Sequence, residues 1–356
     1  MDAKPFRRGR RLSTVLAALL LVPGLLTAPA HAAPVYVGPA PLAPLDQSTV
    51  LGQVTPGLVD INTTLNYQSA VGAGTGIVLD PSGEVLTNNH VIEGATGITA
   101  TSLANGRTYP VDVIGYDRAN DIALVRLRGA SDLPVASLGT SSGLAVGDPI
   151  AAIGNAGGAG GAPSFSPGNI TQLGASVRAS DESGGGSREL TDLIRVAADV
   201  RPGDSGGPLV NAAGQVVGVT VAATLTYRMG NVRGGEGFAI PIDRALGVAG
   251  AIRSGGGPGI HIGDTAFIGV GIADPGPGAP PGAVVRQVLP DTAARGAGLA
   301  PGDVITAADG IAINTATDLS NFMDSHRPGD TIILSWIDRE GAPRSAPIVL
   351  GSGPVG

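Results

Sequence analysis

Ser205 sits within Gly203, Asp204, Ser205, Gly206, Gly207, Pro208 and Leu209, a serine flanked by glycines on a tight turn. Such a turn can supply a nucleophile and backbone donors together, which is the equipment of acyl transfer. Small residues let a substrate carbonyl approach the main chain. The turn Gly203, Asp204, Ser205 can then form an oxyanion hole, with the amides of Gly203 and Ser205 converging on the developing charge. A serine hydroxyl is inert without a base, and the base needs a carboxylate to orient it. The chain has four histidines: His31, His90, His261 and His326. His31 falls in an N-terminal leader, His261 among glycines and prolines near a linker, and His326 in a separate C-terminal unit. That leaves His90, which follows a strand end (Val85 to Thr87) and a turn (Asn88, Asn89). Asp121 heads the apolar run Ile122 to Val125, where a strand enters a core and a carboxylate can be buried and held. Asp117, among Tyr116, Arg118 and Asn120, reads as a solvated turn residue.

The chain order His90, Asp121, Ser205 is that of chymotrypsin-type enzymes and is wrong for an α/β-hydrolase lipase or esterase. Thr87 to Ile92 (TNNHVI), Asp121 to Leu124 (DIAL), Gly203 to Leu209 (GDSGGPL) and Gly237 to Pro241 (GFAIP), in that order, resemble the HtrA family of trypsin-like serine proteases, closest to its secreted, actinobacterial type. The resemblance implies Ser205 as nucleophile, His90 as general base and acid, and Asp121 as the group that orients the imidazole. It also implies a mainly β chain, a chymotrypsin-like double β-barrel followed by a smaller α+β PDZ domain, and a homotrimer held by the N-terminal segment.

Two preferences for the residue before the scissile bond stay open. The family favours small or aliphatic residues, and Phe238, Ala239 and Ile240 match its apolar pocket wall. Asp199, however, lies six residues before Ser205, the spacing at which trypsins place the carboxylate that binds arginine or lysine; Arg195 or Arg201 could neutralise it. Asp204 stands where the family more often has asparagine, and an arginine from a neighbouring loop, Arg178, Arg188 or Arg233, is expected to pair with it.

The elements that position these groups follow from pattern and composition. Arg7, Arg8, Arg10 and Arg11, then an apolar stretch from Leu12 to Leu26, then Ala30, His31, Ala32 read as a signal peptide over 1–32, for export by a general or a twin-arginine route. Cutting there would remove the only lysine, Lys4, with four arginines and Asp2, taking the net charge from −7 to about −11. That balance excludes a basic patch for nucleic acid or anionic membranes. The chain has no cysteine, so stability must come from core burial, and a thiol protease or a thiolate metal site is excluded. Scattered histidines make a zinc site untenable, and the chemistry needs no cofactor or metal.

Residues 33–47 are Pro-rich and apolar. The protease domain is expected over 48–250, its short Val/Ile/Leu runs bounded by turn residues at barrel-like spacing. Ala156 to Gly168, Asp181 to Ser187 and Leu225 to Gly235 read as glycine-rich loops around the cleft. Residues 251–264, containing RSGGGP, read as a flexible linker. Over 265–352 the order of elements resembles a PDZ domain: Phe267, Ile268, Gly269 and Val270 would receive a peptide's terminal carboxylate, and Leu319 and Met323, four residues apart on a helix, would wall the groove or else pack as core. The expected function is that of an exported serine endopeptidase acting on unfolded or exposed protein segments, with C-terminal peptides bound at the PDZ unit. The alternative is a peptide-binding chaperone or envelope scaffold with a mostly idle catalytic centre.

Overall fold

The computed structural model describes residues 45–181, 187–221, 227–229 and 235–355. Helix α1 (Gln47–Val54) opens them, its N-terminus capped by Asp46, whose Oδ1 accepts from the Thr49 amide at 2.7 Å. The Pro-rich stretch expected over 33–47 therefore gives way to a capped helix at its end, and its other residues up to 44 lie outside the described ones, as does the expected leader.

Six strands form the first barrel: β1 (Leu58–Leu65), β2 (Ala70–Asp80), β3 (Glu84–Thr87), β4 (Gly97–Ser102), β5 (Thr108–Asp117) and β6 (Ile122–Leu127). They pair antiparallel in the order β5-β4-β1-β2-β3-β6, and β6 returns to β5 to close the sheet. Closure pairs most of the strand edges within the barrel, so that few backbone groups of these strands rich in Val, Ile and Leu are left to pair elsewhere. A short helix α2 (Asn89–Ile92) leaves β3. The second barrel repeats the plan with β7 (Pro149–Gly154), β8 (Ser164–Asp181), β9 (Ser187–Ala197), β10 (Pro208–Val210) and β11 (Val216–Val221), a short outer strand β12 (Tyr227–Met229), and β13 (Gly237–Pro241). Its order is β8-β7-β10-β11-β13-β9, closed by β8 and β9. Each barrel has its own buried filling, Val59, Ile61, Val85 and Val125 in one, Ile150, Ile170, Val196 and Leu209 in the other. A third cluster, with Ile77, Leu86, Leu124, Ile153, Val219 and Ile240, fills the space between them.

Two expectations are corrected here. The loop read from Ala156 to Gly168 is shorter, because Ser164 to Gly168 already pair with β7 as the start of β8. The linker over 251–264 is no free tether. Helix α3 (Ile242–Arg253) runs into it, and strand β14 (Ile260–Ile262) adds to β5 of the first barrel. The alternation Ile260, His261, Ile262 explains this: both isoleucines pack on the inter-barrel cluster, which outweighs the glycines before them. The loops expected at Asp181 to Ser187 and Leu225 to Gly235 lie largely outside the described residues.

The C-terminal unit contains β15 (Ala266–Phe267), β16 (Val270–Ala273), β17 (Ala283–Val288), α4 (Ala293–Gly296), β18 (Val304–Ala308), β19 (Ile311–Ala312), α5 (Ala316–Asp324), β20 (Thr331–Ile337), β21 (Pro343–Val349) and β22 (Gly351–Ser352). Helix α5 starts with a reciprocal cap: Thr315 accepts from the Asp318 amide, and Asp318 accepts from the Thr315 amide. Its apolar face, Leu319, Phe322 and Met323, packs on Ile305, Leu334 and Trp336. Among the described strands β16 pairs only with β17, which leaves its other edge without a strand partner.

Candidate active site

His90, Asp121 and Ser205 meet at the junction of the two barrels. His90 stands on α2, where the chain leaves β3. Asp121 is the residue before β6 and holds a left-handed backbone, φ +53°, which turns its carboxylate back toward α2. Ser205 lies on the turn leading into β10. His90 Nδ1 is 2.8 Å from Asp121 Oδ2, and His90 Nε2 is 2.9 Å from Ser205 Oγ. The other carboxylate oxygen, Asp121 Oδ1, accepts the His90 main-chain N–H at 2.9 Å. The carboxylate therefore grips both the ring and the backbone of one residue, which fixes the imidazole's rotation. All three side chains are buried. This arrangement can take a proton from a hydroxyl, hold it on an oriented imidazole and return it to a leaving group.

Asn88 ties the halves together, and the sequence shows it only as a turn residue. Its Nδ2 donates to the Asp121 carbonyl at 2.9 Å while its Oδ1 accepts the Gly206 N–H at 2.7 Å. A fully buried amide at a strand end needs two such partners, and the paired asparagines before His90 were the available hint. Asp117 does make a turn, accepting from the Asn120 amide and side chain, but it is buried, not solvated.

The nucleophile turn rests on two glycines. Gly203 has φ +98° and would put a Cβ 2.0 Å from the Asn155 carbonyl; Gly206 has φ +80° and would put one 2.2 Å from the Thr75 carbonyl. No other residue fits either place. The Pro202 carbonyl accepts from the Gly157 amide at 2.6 Å and the Asp204 carbonyl from Gly207 at 3.0 Å. In a trans peptide the N–H lies opposite the carbonyl, so the amides of Gly203 and Ser205 are turned to the other face. Asp204 is corrected as an oxyanion donor: its own N–H is spent on the Arg201 carbonyl at 3.0 Å, closing the turn.

The Asp204 carboxylate is fully buried, and its partners are the Ser164 hydroxyl at 2.6 Å and the Arg201 amide at 2.9 Å. Burial pushes its carboxyl up, against the pull of those two hydrogen bonds and of the Arg201 charge. The expected loop arginine is not found among the described side chains: Arg178 makes no ion pair with it, and Arg188 and Arg233 lie outside them. A serine and a turn amide occupy the space a guanidinium would need.

Of the two arginines that could neutralise Asp199, Arg201 does so. Asp199 is an exposed residue whose Oδ2 receives the Arg201 guanidinium, with Nε at 2.8 Å, so the carboxylate is neither buried nor unpaired. Phe238, Ala239 and Ile240 are buried on β13, with Phe238 and Ile240 in the inter-barrel core and Ala239 in the second barrel. In the C-terminal unit Phe267 stacks on Tyr67 at 5.9 Å, Val270 begins the edge strand β16, and Gly269 adopts φ +91° with Thr292 against it. Ile268, Leu319 and Met323 are core residues, buried among Ala283, Leu299 and Ile332. Of the two places the sequence left open for Met323, the structure takes the core.

Residues 74–219 match the model of the trypsin-like peptidase domain, and residues 266–350 that of the PDZ domain. Serine protease PepD of Mycobacterium tuberculosis is 36% identical over 334 residues, covering 90% of this chain and 69% of the relative. The chain belongs to the HtrA family of PDZ-bearing, trypsin-like serine proteases. As such it is a serine endopeptidase of mainly β fold. The putative serine protease HhoA of Synechocystis is 38% identical over 71% of this chain, and a probable periplasmic serine endoprotease, DegP-like, of Pseudomonas savastanoi is 34% identical over 87%. This HtrA-type chain spans 64% and 61% of the length of those two relatives.

Proposed function

We propose that this protease cleaves unfolded or exposed polypeptide segments in the cell envelope or outside the cell, through an acyl-enzyme on Ser205, and that its PDZ domain recruits or reports C-terminal peptides. The observation that carries the reading is His90 held between Asp121 and Ser205 at 2.8 and 2.9 Å. Ser205 Oγ attacks the scissile carbonyl as His90 Nε2 takes its proton, and Asp121 stabilises the resulting imidazolium at Nδ1. The amides of Gly203 and Ser205 receive the oxyanion, His90 protonates the leaving amine, and water then repeats the sequence on the ester. No metal takes part in any of these steps.

The envelope location draws on the periplasmic relative and on the leader pattern over 1–32, with cleavage near Ala32. For the PDZ unit, the Ile268 and Gly269 carbonyls accept from Ala294 and Leu289, which turns the N–H groups of Gly269 and Val270 to the opposite face. A peptide lying along the free edge of β16 as an added strand would bring its carboxylate to those amides. A small or aliphatic preference before the scissile bond is favoured over a basic one, since Asp199 is already paired with Arg201. A homotrimer remains part of the proposal, and no nucleic-acid partner is included.

The test is proteolysis of unfolded casein by the chain from Ala33 onward, wild type against Ser205→Ala, with and without short apolar C-terminal peptides. Cleavage and fluorophosphonate labelling that vanish in Ser205→Ala support the protease; stimulation by peptide makes the PDZ domain a regulator. A wild type that neither cleaves nor labels overturns the reading.

A further inference from the structure

Thr75 of β2, which is 1% exposed, holds the turn bearing Ser205 from the opposite barrel at its Gly203 and Ser205 carbonyls, beside the Asn88 bond to Gly206. Its hydroxyl donates to the Gly203 carbonyl at 2.8 Å and accepts from the Asn155 amide at 2.9 Å. Its main-chain N–H donates to the Ser205 carbonyl at 2.8 Å. Its own carbonyl accepts from the Thr87 hydroxyl at 2.8 Å, three residues before His90. Thr75 thus touches both ends of the segment Gly203, Asp204, Ser205 and the strand end from which the base projects.

We propose that the Thr75 hydroxyl is a positioning group for the oxyanion turn: it sets the Gly203–Asp204 peptide plane directly and, through Asn155, steadies the loop whose Gly157 amide aims the Gly203 N–H at the carbonyl under attack. The reason lies in Gly203 itself. A glycine has no Cβ to resist rotation of the peptide planes on either side of it, so hydrogen bonds to the flanking carbonyls must set their orientation. The Pro202 carbonyl is held by the Gly157 amide, and the Gly203 carbonyl by the Thr75 hydroxyl. The two holds are linked, because the second partner of the hydroxyl, Asn155, stands two residues before Gly157, and its carbonyl accepts from Gly158 at 2.8 Å. One hydroxyl therefore orders the turn and the loop that pins it. Valine has the same shape and suits a strand equally well. A residue needed only to fill space would lose nothing by that exchange, whereas here valine leaves a carbonyl and an amide without their partner.

The inference rests on Ser205 being the nucleophile, and the experiment keeps the two apart. Thr75→Val, Thr75→Ala and Thr75→Ser are compared with wild type in kcat, KM, fluorophosphonate labelling rate and affinity for a peptide aldehyde, at a temperature where circular dichroism shows each folded. Loss of a direct oxyanion donor costs about 100- to 1,000-fold in kcat, so a group acting through the turn is expected to cost about 10- to 100-fold. The expected result is that loss in kcat for Val and Ala with KM within about threefold, a parallel loss of aldehyde affinity, and Ser within about threefold of wild type. A Val variant with wild-type kcat, a loss confined to KM, or a Ser variant as poor as Val overturns the proposal while leaving the nucleophile intact. Failure of both Val and Ala to fold at any temperature makes Thr75 a folding residue and overturns it as well, and a wild type that is silent takes both readings down.

Discussion

Asn88 uses the two ends of one amide on the two sides of the catalytic centre, and each replacement removes a definable part of that bridge. Asn88→Asp keeps an acceptor for the Gly206 N–H but sets a carboxylate oxygen against the Asp121 carbonyl, where a donor is needed. Asn88→Ser removes both bonds without adding charge. Steady-state kinetics should therefore rank wild type above Ser and Ser above Asp, with kcat down by about 10-fold or more for Ser, each buried group left unpaired being worth about 1–3 kcal/mol. Equal activity of all three would show that the bridge does not matter. Asp204 lends itself to a pH experiment. Its buried carboxyl is raised, so the native state holds its proton more tightly than the unfolded chain does, and its contribution to stability is present at low pH and declines as pH rises through the raised value. In Asp204→Asn the Ser164 hydroxyl can turn to the Gly154 carbonyl, already 2.9 Å away, and accept from the new amide, while the side-chain oxygen keeps the Arg201 N–H. Thermal melts from pH 4 to pH 8 should show a flatter profile and a higher midpoint at pH 8 than wild type. The triad was legible in the sequence because serine, histidine and carboxylate carry their chemistry in their residue type, and their order limits the choice. Asn88 and Thr75 were not, since their partners lie 118 and 128 residues away; the doubled asparagine before His90 reads locally as a turn, and nothing local marks Thr75.

At the scale of elements, the segment from Asn155 to β8 is the piece whose conformation the site depends on, since its Gly157 holds Pro202. Asp60 of β1, opposite Thr75 in the strand register, supports it from below by accepting the Gly161 amide. Burial pushes the Asp60 carboxyl up to about 6, only partly offset by that hydrogen bond. The sign is again that of a raised acid: stability is highest below pH 4 as far as this group is concerned and is lost between about 4 and 6, by at most about 3 kcal/mol. Asp60→Asn keeps an acceptor for Gly161 and has no charge to bury, so it should melt higher than wild type at pH 7 and lose the difference near pH 4. A variant that melts lower at pH 7 would mean the charge itself stabilises the loop. Barrel strands such as Ile122–Leu127 and Val216–Val221 were readable because a run of β-branched residues between turn signals has few other solutions. RSGGGP advertises flexibility locally and so reads as a linker, while the force that orders it, two isoleucines reaching the inter-barrel core, acts from two and four residues beyond its end.

Across the whole molecule, the junction of protease and PDZ domain is polar and connected, which argues for domains that move together. Arg118 at the end of the first barrel pairs with Asp324 at the end of α5 at 3.0 Å, and the Tyr116 hydroxyl donates to the same carboxylate at 3.1 Å. His261, from the added strand β14, stacks on Tyr116 at 4.8 Å and sets its two ring nitrogens against the carbonyls of Asp324 and Asp264. On the far side Val355 exchanges hydrogen bonds with Gly94 and Ala95, just beyond α2, so the segment after β22 ties the PDZ domain to the element that carries His90. Removing Arg118 strips the guanidinium from a carboxyl that burial already pushes up, and should weaken this junction by about 1–3 kcal/mol. The chain's single tryptophan, Trp336, is buried in the PDZ core, so its fluorescence reports that domain alone, whereas loss of fluorophosphonate labelling reports the barrels. In wild type the two thermal transitions should coincide; in Arg118→Ala the tryptophan signal should move to lower temperature by several degrees while labelling persists. Two transitions that stay together in the variant would show that the ion pair adds nothing to the coupling, and that the β14 strand and the Val355 contact hold the domains by themselves.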